Sequence, residues 1–110
     1  KPHYLADGPD RRAILDLCMA MALALGPDVF VAQSRALQTR PDQCDTLRGV
    51  RVPTLILCGT EDRLCPPERH HMMHELVPGA ALTMIDAAGH MPTIEQPTLT
   101  NEALQKWLIM

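Results

Sequence analysis

The pattern of apolar positions changes character near residue 50. Upstream, apolar residues follow helical spacing; downstream, short apolar runs alternate with helical stretches. A first helix is expected from Pro9, through Arg12 and Leu15, to about Leu25. Proline is tolerated at a helix start, and Gly26 supplies a stop. The second half of this helix, Leu17 to Leu25, is apolar all round, which predicts burial on most sides. Pro27 opens a second helix, through Phe30 and Leu37 to about Thr39, and Pro41 ends it. A short helical turn is expected over 42–47, closed by Gly49.

Val52 to Cys58 is a continuous apolar run between Arg51 and Gly59, the pattern of a strand buried on both faces. Pro53 is compatible with a first strand position. Gly59 to Arg63 reads as a loop. Pro66 and Pro67 then start a helix with Met72, Met73, Leu76 and Val77 on one face, ended by Pro78-Gly79. Ala81 to Asp86 reads as a second strand and Ala87 to His90 as a second loop. Pro97 opens a last helix lined by Leu99, Ala103, Trp107 and Leu108.

A strand, a helix and a second strand of this length form a crossover that sets the strands parallel, with right-handed connection. The loops leaving the two strands then emerge at one edge of the sheet, where open α/β sheets carry their functional groups. Asp62 and His90 each lie four residues past a strand, 28 residues apart. An aspartate beside a histidine accepts a hydrogen bond from one ring nitrogen, fixes the tautomer, and leaves the other nitrogen free to take a proton.

Composition narrows the classes. The chain has 110 residues, 46% hydrophobic, enough for one domain with a core. Aromatics are 3% and the net charge is −3, so neither a base-stacking platform nor a basic stripe points to nucleic acid. The longest apolar run is nine residues, well short of the roughly 20 a membrane helix needs. No cofactor motif is present. Cys18, Cys44, Cys58 and Cys65 lack C-x-x-C spacing and read as reduced thiols, which points to the cytoplasm.

Two motifs are more specific. Val52-Pro-Thr-Leu-Ile-Leu-Cys-Gly-Thr-Glu-Asp62 resembles the strand and acid-bearing loop of the α/β-hydrolase superfamily. Ala88-Gly-His90-Met-Pro-Thr-Ile-Glu-Gln-Pro97 is similar to the loop carrying its histidine. The likeness covers residues 50–110. Residues 9–48 resemble the helical cap found in many members, so 1–49 is read as a cap-like segment and 50–110 as the C-terminal βαβα part of the core. The resemblance implies that Asp62 orients His90, and that His90 is the general base and then the acid for the leaving group. It also implies a small-molecule substrate and a nucleophile, Ser or in some branches Asp or Cys, in a tight turn of the Gly-x-Ser-x-Gly kind. No such turn occurs among these residues; the only serine is Ser34, in Gln33-Ser-Arg35. The nucleophile is therefore expected upstream of Lys1. Two parallel strands leave both sheet edges open, so the chain is expected to need an N-terminal half, a partner or self-association to fold.

Blander readings stand beside these. Asp62 could be a turn former, and His90 a structural histidine after a glycine whose freedom allows a bend. His70, His71 and His74 fall near one helix turn, but a solvated helix face is the better reading than a metal site. Glu95 could brace the histidine loop or be surface charge. Methionines 19, 21, 72 and 73 read as core or as an apolar pocket lining that would suit an acyl or alkyl group. Ester hydrolysis, C–C bond hydrolysis and dehalogenation are not separable from these residues. A non-catalytic binding module on the same fold is the alternative.

Overall fold

A computed structural model describes residues 2–110. A short 3-10 turn (Pro2–Tyr4) leads into α1 (Arg11–Leu25), α2 (Pro27–Thr39), α3 (Cys44–Arg48), β1 (Leu55–Gly59), α4 (Pro67–Leu76), β2 (Ala81–Ile85), α5 (Pro92–Glu95) and α6 (Pro97–Leu108). The two strands pair in parallel, with Leu55 opposite Ala81 and Gly59 opposite Ile85. The expected crossover is thus present. β1 begins three residues later than the apolar run. Its partner starts at Ala81, whose N–H reaches back to the Thr54 carbonyl at 2.9 Å, so Val52 and Pro53 have no ladder to join.

Alternation along β1 sends Ile56 and Cys58 to one face and Leu57 to the other. Leu57 packs with Ile85, Ala88 and Ala103, which places α6 on its face. α4 packs on both strands, and its His70 lies near Cys58, so it covers the opposite face. The helix α6 keeps only part of the expected stripe inward. Thr100 and Ala103 are buried and Trp107 is half-buried, whereas Leu99 and Leu108 are exposed. The cause is the unforeseen helix α5, whose Pro92 carbonyl accepts the Thr100 hydroxyl at 2.9 Å and fixes the rotation of α6.

The helix α1 departs further from expectation. It begins at Arg11 rather than Pro9, after a turn in which the Arg11 N–H meets the Gly8 carbonyl. Of its side chains only Ile14 is buried; Leu17, Met19, Met21, Leu23 and Leu25 are exposed, Leu23 to 74%. Packing against α1 comes from α2 and α5 alone among elements with substantial contact, and two neighbours cannot cover an all-round apolar helix. Among the described residues no single helix is long and apolar enough to cross a membrane; α1 and α2 bend by 101° at Gly26.

Candidate active site

Both loops that leave the sheet do so at its carboxyl edge, and backbone bonds join them. The Thr60 N–H donates to the Ile85 carbonyl at 3.0 Å, and the Glu61 N–H to the Ala88 carbonyl at 2.9 Å. Between them sits Gly59. A Cβ there would lie 2.1 Å from the Gly89 carbonyl oxygen and 2.4 Å from that of Ala88, so only glycine admits this approach. The turn out of β2 passes through Ala87, which holds a left-handed φ of 55°.

This approach brings Asp62 and His90 together. The His90 Nδ1 lies 3.0 Å from Asp62 Oδ2. Asp62 is 5% exposed, and its other oxygen accepts the Leu64 and Cys65 N–H groups at 3.0 and 2.9 Å. Those two amides lock the carboxylate's rotamer, so its second oxygen has one direction to face. The imidazole is half-exposed. With Nδ1 donating to the carboxylate, Nε2 carries a lone pair and is the atom available to a reacting group.

A third carboxylate holds the histidine loop. Glu95 Oε2 accepts the N–H groups of Gly89 and Met91, the residues on either side of His90, at 2.9 and 3.0 Å. Its Oε1 accepts the Ala6 N–H at 2.7 Å. The His90 N–H itself donates to the Tyr4 carbonyl, and the Tyr4 ring meets the imidazole edge-on at 5.8 Å. Of the two sequence readings of Glu95, the brace is therefore the one realised. The role of Tyr4 to Ala6 had no local signal, because it depends on contacts across almost the whole chain. Gly89 also has a different reason from the one expected. Its φ is not left-handed; instead a Cβ would meet the Tyr4 carbonyl oxygen at 2.5 Å.

Past the loop, Met91 and Ile94 line an apolar cavity of about 470 Å³ with Leu17, Met21 and Phe30. The Cys18 Sγ touches the Met91 Sδ at 3.6 Å. On the other side of the pair, His70 is not on a solvated face as expected. It is half-buried, with Nδ1 3.3 Å from the Pro66 carbonyl, because α4 turns this residue toward Cys58 and Asp62. Cys58 is 1% exposed, and burial, followed by the nearby Asp62 charge, pushes its thiol up to about 11.

The sequence pattern of the family described as the alpha/beta hydrolase family matches residues 2–103. The chain belongs to that family. A proline iminopeptidase of Lactobacillus delbrueckii subsp. bulgaricus is 35% identical over 65 residues, 59% of this chain and 22% of that enzyme. A thermophilic esterase from Thermogutta terrifontis superposes with a TM-score of 0.62 at 38% identity, covering 64% of this chain and 26% of the esterase. An esterase from Exiguobacterium antarcticum gives 0.60 at 30% identity, over 64% of this chain and 26% of its own. This alpha/beta hydrolase chain thus spans about a quarter of the length of such relatives. Its helices and parallel strand pair form part of the alpha/beta-hydrolase fold, and its relatives include esterases and a peptidase.

Proposed function

We propose that Asp62 and His90 are the acid and base of a hydrolytic site that cleaves an ester or related bond in a small, apolar substrate. The observation that carries this reading is the 3.0 Å contact between His90 Nδ1 and a buried, rotamer-locked Asp62. The nucleophile lies outside these 110 residues, since they contain no Gly-x-Ser-x-Gly turn. Asp62 accepts a hydrogen bond from Nδ1–H and holds the imidazole so that Nε2 faces the reacting group. Nε2 takes the proton of the attacking hydroxyl as the new bond to carbon forms, and the resulting imidazolium is stabilised by the carboxylate. The same proton then passes to the leaving group as the old bond breaks. The cavity beside Met91 supports an apolar acyl or alkyl group in the substrate.

The test pairs this chain with the polypeptide that completes its fold and follows turnover of a chromogenic short-chain ester and labelling by a fluorophosphonate. His90→Ala is expected to lower kcat/KM by about 10²–10⁴-fold, with Asp62→Asn lowering it through the tautomer. Label is expected on the completing polypeptide alone. Full activity in His90→Ala, or label on Ser34, would refute the assignment.

A further inference from the structure

We propose that Cys58, Asp62 and His70 form a binding site for a thiophilic divalent cation of the zinc class, and that this cation competes with His90 for Asp62. The three side chains come from the end of β1, the loop after it and the first turns of α4, and one ligand atom from each lies within 4.8 Å of the others. Cys58 and Asp62 are buried and His70 is half-buried.

The donor set selects the ion. A thiolate, an imidazole and a carboxylate are ligands that zinc accepts, whereas magnesium and calcium take oxygen. Zinc bonds of about 2.0–2.3 Å at tetrahedral angles place ligand atoms roughly 3.5 Å apart. The required contraction is then on the order of 1 Å, within the reach of side-chain torsions. One further observation fits. The His70 Nδ1 faces the Pro66 carbonyl, an arrangement in which Nδ1–H donates to a backbone oxygen and Nε2 is left to ligate.

Binding replaces a proton: the Cys58 S–H bond breaks, the sulfur lone pair bonds the cation, and the proton leaves to solvent. Three protein ligands leave the fourth position to water. Asp62 Oδ1 is held by two amides, so the oxygen left for the ion is Oδ2, the one that faces His90. A cation at this site therefore shares Oδ2 with the imidazole and weakens its hydrogen bond to Nδ1.

The probe is Co²⁺, titrated into the chain in the folded assembly in which it purifies, with Zn²⁺ as competitor. One equivalent is expected to give thiolate-to-cobalt charge-transfer absorption in the near ultraviolet, bleached by Zn²⁺. Cys58→Ser is expected to abolish the band and Cys65→Ser to retain it. His70→Ala, on a half-exposed helix position that leaves the core intact, is expected to weaken binding by about tenfold or more. His90→Ala is expected to retain the band and bind more tightly, because the competing partner is gone. Absence of the band, its survival in Cys58→Ser, or unchanged affinity in His70→Ala would overturn the site. Weaker binding in His90→Ala would overturn the competition.

Discussion

Removing the Glu95 carboxylate should loosen the histidine loop before it disturbs anything else. Glu95→Ala deletes the acceptor for three backbone N–H groups, those of Ala6, Gly89 and Met91. A hydrogen bond to a charged group contributes about 1.5–3 kcal/mol net, which sums naively to ~5–9 kcal/mol. The three share one carboxylate that is itself half-buried, and such terms are not additive. About 3 kcal/mol of local stability is the expected loss, equivalent to a fall of about 10²-fold in protection from hydrogen exchange. Glu95→Gln keeps one acceptor oxygen but loses the charge and turns an N–H₂ toward an amide, so roughly half the effect is expected. The assay is native-state amide exchange, read at Gly89, His90 and Met91 against Ala103 in α6 as the remote reference. If the loop amides keep their protection in Glu95→Ala, the brace is inert. If Ala103 loses protection equally, the carboxylate stabilises the domain at large and not the loop.

Gly59→Ala should separate Asp62 from His90: a new Cβ 2.1 Å from the Gly89 carbonyl forces the loops apart, with an expected loss of about 3 kcal/mol or more in thermal or denaturant unfolding. Wild-type stability in that variant would refute the close approach. Cys58 should make stability fall at high pH. Its folded value of about 11 lies above the unfolded one, so the unfolded chain loses the proton first, and the contribution is full below about pH 8.5 and declines as pH rises toward 11. Urea unfolding at pH 8 and pH 10 should show this extra decline in the wild type and not in Cys58→Ala. The exposed apolar side of α1 should be covered in solution by more polypeptide. Dilute isolated chain is expected to bind ANS or to self-associate by sedimentation, and Leu23→Lys with Met19→Lys to reduce both. A dispersed, non-associating, ANS-silent monomer would argue against it.

Much of the architecture is legible in the residues. Leu55 to Cys58 announces itself as a buried strand and Ala81 to Ile85 as a second strand, and prolines 27, 67 and 97 mark helix starts that the structure keeps. A parallel crossover then leaves little freedom in where residues 62 and 90 emerge, which is why their meeting could be foreseen. What the sequence hides is long-range. The inward stripe of α6 depends on a hydroxyl bond from Thr100 to a helix of four residues, too short to show a period. The use of Gly59 and Gly89 depends on which backbone passes by, not on a turn of their own. His70 reads as surface beside His71 and His74 because only the seating of α4 on β1 distinguishes it.

The bond from the Ala6 N–H to Glu95 spans 89 residues of a 110-residue chain. Contacts this distant in sequence form late, after the loop they close has lost its entropy. Local elements such as α1, and even the β1–α4–β2 unit, can assemble before it. The imidazole loop is not clamped until Ala6 and Glu95 meet. A product that lacks either Ala6 or Glu95 therefore carries Asp62 and His90 without this means to keep them in register.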